Sequence, residues 1–315
     1  MHTLILSISF SVAVSIFLKL AKRHAIRVDQ AVAVNYLMAI GLCLWLLRPP
    51  LGSLFDQPAG SWAILILLGI LLPSIFLVMA AAVRQVGIVL SDTAQRLSLL
   101  VPILAAFLMF GESLSGAKAT GILVAFGALV CLVWRKAALA PAGSEIHASE
   151  IHASEIHALN DPHRDPHRPG NTATHGHRHG AWILLGVWAG YGTIDVLFKQ
   201  MARLGSQFTS SLLLSFTLAA LLIFAWLFLR RTRWHARSLA SGLLLGAMNF
   251  SNIYFYIRAH QSFPENPTLV FAAMNIGVIS VGTLVGAGLF GERPSRLNLL
   301  GIALALIAVF LLLPR

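Results

Sequence analysis

The segment Ser91-Asp92-Thr93-Ala94-Gln95-Arg96-Leu97 sets a carboxylate, an amide and a guanidinium close together in an otherwise apolar run. Asp92 and Arg96 are four apart, so on a helix they share one face and can pair. An ionisable group near the centre of a membrane helix costs about 2.5–3.5 kcal/mol on insertion scales, so its presence asks for a reason. One reason is a water-accessible cavity in which Arg96 grips a carboxylate or phosphate and Gln95 and Asp92 line the wall. The other is a self-neutralising pair that holds helix register.

A second constellation is Met248-Asn249-Phe250-Ser251-Asn252-Ile253-Tyr254-Phe255-Tyr256. Asn249 and Asn252, three apart, share a face, and amides there either hydrogen-bond a polar solute or join neighbouring helices. Tyr254 follows as a candidate lining residue. Asn275 stands 180 positions after Gln95, and Asn35 and Tyr36 complete a candidate cavity wall or pack helices. Asp195 and Lys199 form another four-residue spacing, read as an ion pair or, with Lys199 snorkelling to the interface, as a proton-coupling carboxylate. Asp92 is the other candidate for proton coupling. Glu112 and Glu292 each begin a turn between apolar runs and are expected to cap helices. Gly282 and Gly286 are expected to allow close helix packing.

Histidines cluster between positions 147 and 179. His147, His152 and His157 repeat every five residues, which rotates each about 140° from the last and spreads them around a helix. His175, His177 and His179 could converge on a divalent ion as weak metal candidates, but no pattern within the apolar runs offers a metal a path onward.

These side chains must be held by the elements that contain them. Of the 315 residues, 57% are hydrophobic and 11% charged, with a mean hydropathy of +0.78. A soluble domain carries about 25% charged residues, so this composition places the chain in a bilayer. The net charge of +11 is distributed in short clusters between apolar runs, as topology signals are, and no nucleic-acid-binding motif accompanies it. Cys43 and Cys131 lie in apolar runs without metal-ligand spacing. The N-terminal apolar run lacks a basic start and a cleavage site and is expected to be a retained helix.

Ten runs have about the 20 residues a helix needs to cross the hydrocarbon core: 3–20, 29–47, 61–83, 86–110, 115–134, 181–201, 207–229, 238–259, 267–290 and 295–313. Pro102 is expected to bend or loosen the fourth. Backbone groups in lipid need internal partners, so the expected fold is an all-α integral membrane protein. The halves repeat: Lys19 matches Lys199, Gly111-Glu112 matches Gly291-Glu292 and Gly121 matches Gly301. Five spans per half make the repeat inverted, with 1–135 and 181–315 as two five-helix units and 136–180 as a His-rich low-complexity linker. Most Lys and Arg, including Arg230-Arg231-Thr232-Arg233-Trp234-His235-Ala236-Arg237, fall on one side, which the positive-inside rule makes cytoplasmic, with both termini outside.

The five-plus-five duplication and the two Gly-Glu motifs with their following glycines resemble the EamA-like branch of the drug/metabolite transporter superfamily. The resemblance covers nearly everything but the linker. It implies a multi-pass carrier of small organic solutes in a bacterial inner membrane, often an exporter of amino acids, metabolites or toxic compounds. It also implies a central cavity lined by spans four and nine, where Asp92, Gln95, Arg96 and Asn275 fall. The expected function is secondary active transport by alternating access, as monomer or homodimer, with a small-molecule solute and the lipid bilayer as partners, no nucleic acid and no cofactor. The rival reading is a divalent metal-ion transporter with a His-rich sensing loop. No enzyme motif (HExxH, GxSxG or P-loop) is present.

Overall fold

The computed structural model describes residues 1–23, 26–86, 88–133, 173–204, 207–290 and 295–313. They form helices α1 (His2–Arg23), α2 (Val28–Leu42), α3 (Ala59–Val86), α4 (Ile88–Leu97), α5 (Leu100–Leu108) and α6 (Gly116–Val133). After the segment between the halves come α7 (Ala173–Arg203), α8 (Phe208–Leu229), α9 (Ala236–Ser262), α10 (Pro267–Phe290) and α11 (Arg296–Leu312). There is no strand among the described residues. Glu292, Arg293 and most of the linker, including His147, His152 and His157, lie outside them.

Among the described residues five stretches are long and apolar enough to cross a membrane: Val28–Leu47, Ala59–Val83, Gly180–Arg203, Phe208–Leu229 and Pro267–Gly288. α9 has comparable length, but Asn249, Ser251, Asn252 and Arg258 interrupt its apolar run. The surface reverses the usual soluble pattern. Leu108, Leu123, Leu229 and Leu306 stand exposed, while Gln30, Asn35, Lys199, Ser215 and His260 are buried. Apolar exterior and polar interior are what a hydrocarbon solvent selects.

Two boundaries differ from the sequence expectation. α7 begins at Ala173, inside the segment assigned to the linker, because a helix once nucleated gains a backbone bond with each added residue. The run 86–110 is not one helix: it breaks at Ser98 and Leu99 into α4 and α5. Pro102 has no N–H to give to the Ser98 carbonyl, which accepts from Val101 instead at 3.0 Å. The carbonyl of Leu97 thereby loses its usual partner and accepts the indole Nε1–H of Trp188 in α7 at 3.0 Å.

The helices pack in matched pairs. α1 lies on α9 and α10, α2 on α8 and α9, α3 on α7 and α8, and α4 and α5 on α7. α6 packs on α11. A shift of 180 positions carries α1 on α9 into α7 on α3, and α2 on α9 into α8 on α3. The same exchange appears atom by atom between α6 and α11. A Cβ on Gly121 would sit 2.9 Å from Leu312 Cγ, and one on Gly301 would sit 2.7 Å from Leu132 Cγ. The α2–α9 interface is closer still: Cβ atoms on Gly242 and Gly246 would meet the carbonyls of Ala31 and Asn35 at 2.7 Å. Gly282, expected at a close contact, faces open space.

Glu112 acts as a cap, but for a distant helix. Gly111 takes φ +69°, a left-handed conformation that favours glycine, and turns the chain after α5. The buried Glu112 carboxylate then accepts from the backbone N–H of Thr268 at 3.0 Å and its hydroxyl at 2.7 Å. Both bonds lie in the first turn of α10, where free N–H groups and the helix dipole favour an anion. Lys118 of α6 closes the set at 3.0 Å from the same carboxylate. One side chain thus ties three helices from both halves.

Glu112→Ala should destabilise the protein by about 3 kcal/mol, since it strands two buried donors and a lysine; Glu112→Gln should cost less, and thermal unfolding in detergent compares them. Gly301→Ala should cost about 1–3 kcal/mol by overpacking against Leu132. Adding Leu132→Ala should recover part of that loss, and a double variant less stable than either single one would contradict the contact.

Candidate functional site

The break between α4 and α5 leaves Asp92 and Arg96 on the last turns of a short helix, facing α7. Arg96 Nη2 lies 3.4 Å from Asp92 Oδ1, and both side chains are largely enclosed. Arg96 Nε is buried with no hydrogen-bond partner. Gln95 is half-buried, and its carbonyl accepts from the Ser98 hydroxyl across the break.

α7 answers with a stripe at positions 188, 191, 195 and 199, spaced so that Trp188, Tyr191, Asp195 and Lys199 lie along one face. Trp188 holds the α4 end, as described above. Tyr191, between Trp188 and Asp195 along the stripe, lies within electrostatic reach of Arg96, Asp92 and Asp195 and of Tyr36 of α2. Asp195 accepts the Tyr256 hydroxyl of α9 at 3.0 Å, and the Asn275 amide of α10 stands near enough to act on the same carboxylate. Asn275 also donates to the Phe271 carbonyl one turn back at 3.2 Å. Asp92, Arg96, Tyr191, Asp195, Tyr256, Asn275 and Tyr36 therefore form one polar cluster fed by α2, α4, α7, α9 and α10. Tyr36 is fully buried and its hydroxyl has no partner.

The expected Asp195–Lys199 ion pair does not form. Four-residue spacing permits it, but tertiary partners win: Asp195 turns to Tyr256 and Asn275, and Lys199 Nζ donates to the Pro264 carbonyl at 2.8 Å.

The amides of α9 serve as interhelical bonds. Asn249 Nδ2 donates to Asn35 Oδ1 at 3.1 Å, both buried, locking α9 to α2. Asn252 accepts the Ser7 hydroxyl at 3.0 Å on its side-chain oxygen, locking α9 to α1. Tyr254 stacks on Phe250 at 6.2 Å and faces Phe208 at 6.5 Å, in an aromatic group with Phe255. Of this set, Asn35 Nδ2 keeps an unpaired buried donor. The backbone at His175, His177 and His179 is helical, at the start of α7, but their side chains lie outside the described residues. Among the described residues no three His, Cys, Asp or Glu side chains are grouped to hold a metal ion.

Trp188, Tyr191 and Tyr256 carry weight that single-residue reading of the sequence did not give them. The signal was present in α7 as polar side chains recurring at helical spacing through an apolar span. For Tyr256 only the tertiary contact reveals the role.

No family model matches the chain. A crystal structure of a protein 15% identical superposes with a TM-score of 0.67, covering 98% of this chain and 94% of the other, and shows a shared fold. An uncharacterized protein of Haemophilus influenzae is 45% identical over 316 residues, spanning 99% of this chain and 97% of that protein. Identity at that level across almost the whole of both chains means that this chain and the Haemophilus influenzae protein belong to one family.

Proposed function

We propose that the protein is a secondary transporter that moves a small organic solute across a bacterial inner membrane by alternating access, as an EamA-like member of the drug/metabolite transporter superfamily. The observation that carries this reading is the central cluster. Charged and hydroxyl side chains from both halves converge inside a bundle with an apolar exterior, and two of their donors, Arg96 Nε and the Tyr36 hydroxyl, lack protein partners. A buried donor without a partner costs about 1–3 kcal/mol, which a polar solute would recover on binding.

The architecture supports the same reading. With α4 and α5 counted together, the helices before and after the linker correspond in order, and their pairwise packing exchanges under the 180-residue shift, which supports a reading of ten spans in two sets of five. That exchange is what a pseudo-twofold relation between the halves produces. With an odd number of spans in each half the relation is inverted, and inverted repeats place substrate sites where the repeats meet. Discontinuous helices are the usual site-forming elements of such carriers, and the break after Leu97 sits beside Arg96. In this mechanism Arg96 holds an anionic group of the solute, Tyr191 and Tyr36 supply hydroxyls, and Asn275 orients Asp195. Asp195, enclosed between Tyr256 and Asn275, is the group that exchanges a proton as the two units rock. Rocking is resisted at the Glu112 and α6–α11 contacts, which therefore serve as the pivot.

Arg96→Leu should abolish solute flux in proteoliposomes screened with amino acids and organic acids, while its unfolding in detergent stays close to that of the unmodified protein. Undiminished flux in that variant would remove Arg96 from the mechanism. Asp195→Asn should retain solute exchange but lose acceleration by an imposed pH gradient. Gradient-driven uptake at the original rate would assign the proton elsewhere.

A further inference from the structure

A second cluster of polar groups lies at the other end of the α7 stripe. A recess of about 630 Å³ opens between the α7–α8 and α9–α10 turns, lined by Lys199, Arg203, Phe208, Arg258, His260 and Gln261. Its volume falls within the roughly 300–1,000 Å³ typical of small-molecule sites. It sits at the end of α8 away from the basic Arg230–Arg237 turn, about 33 Å along a helix of 22 residues.

Three cations face this one opening. Lys199 is 2% exposed and fixed by its bond to the Pro264 carbonyl. Arg203 lies over the Phe110 ring at 5.5 Å, with Lys199 at 5.8 Å from the same ring. Arg258 reaches the recess from α9 and bonds Gln261 Oε1 at 3.0 Å. Of the carboxylates that act on Lys199, Glu112 is bound to Thr268 and Lys118, and Glu265 stands exposed in the neighbouring turn. Compensation of helix C-termini accounts for a basic group at the end of α7 and of α9. It does not account for His260, which is 1% exposed with neither ring nitrogen hydrogen-bonded.

We propose that this recess is a second binding site that takes an organic oxyanion, a carboxylate or phosphate on a small apolar body. Arg203 and Arg258 neutralise the charge, Lys199 sets the local field, a ring N–H of His260 donates to the oxyanion, and Phe208 packs on the apolar part. Guanidinium groups suit this task because their forked donors match a two-oxygen acceptor. The site is distinct from the Arg96 cluster, yet His260 packs against Tyr256 at 4.8 Å between ring centres, and Tyr256 holds Asp195. A solute captured in the recess therefore rests one aromatic contact from the central cluster. Binding here does not depend on the transport reading, although it would concentrate anions at one mouth of the path.

The test is titration of the full-length protein in uncharged detergent with hexanoate and with inorganic phosphate, followed by heat of binding and by thermal stabilisation. Arg203→Gln and Arg258→Gln, both at exposed positions, should each weaken binding about tenfold, as expected for loss of a charge-assisted bond. Their unfolding without anion should match that of the unmodified protein. His260→Phe should also weaken binding, and Arg96→Leu should leave it unchanged even if transport is lost. In nanodiscs, displacement of hexanoate by phosphatidylglycerol but not phosphatidylcholine would support the site and name a lipid headgroup as its occupant. Equal affinity in the Arg203→Gln/Arg258→Gln double variant, loss of binding in Arg96→Leu, or no response to hexanoate, phosphate or phosphatidylglycerol would overturn it.

Discussion

A polar group enclosed by helices whose outer surface is apolar has only the protein itself, or a bound solute, to bond with. Everything distinctive about this chain follows from how that demand is met. Where two side chains bond each other, the result is a joint between helices: Asn249 to the Asn35 side-chain oxygen, Ser7 to Asn252, Thr268 to Glu112. Elsewhere the demand is left partly unmet, as at Arg96 Nε, the Tyr36 hydroxyl and both ring nitrogens of His260.

The joints and the incomplete clusters are distributed differently. Bonds that close on themselves sit at the α1–α9, α2–α9 and α5–α6–α10 interfaces and fix how the helices approach. Glycines do the same job sterically, at Gly242 and Gly246 against the α2 backbone and at Gly121 and Gly301 between α6 and α11. Two groups of incompletely bonded side chains lie beside α7, one near Tyr191 and one around Lys199, while single ones such as Ser61 and Ser280 stand elsewhere. α7 thus serves as a rail of polar groups from the centre of the bundle to one end, with the aromatic contact between His260 and Tyr256 joining the two clusters.

The break in the fourth run shows how a local defect becomes useful. Pro102 removes one donor, Ser98 and Leu99 leave the helix, and the carbonyl of Leu97 is freed. Trp188 takes up that carbonyl and so aligns α7 with the end of α4. The same contact brings Tyr191, three residues further along, within the electrostatic reach of Arg96, and Asp195 follows one turn beyond it.

The helices themselves were legible in the chain because membrane-length apolar runs and the need for internal backbone bonding leave few alternatives. The Asp92–Arg96 pair was legible for the same reason, being set by four-residue spacing on a single helix. Long-range choices were not. Spacing allowed Asp195 to pair with Lys199, but the approach of α9 and α10 offered Tyr256 and Asn275, and the approach of the α9–α10 turn offered the Pro264 carbonyl. Likewise Glu112 read as a cap for its own neighbourhood and instead caps α10, 156 residues away. Local periodicity and hydropathy act within one helix, so sequence by itself determined the elements and their apolar faces. Which polar groups meet depends on interhelical distances of a few ångströms, and only the packed tertiary structure decides those.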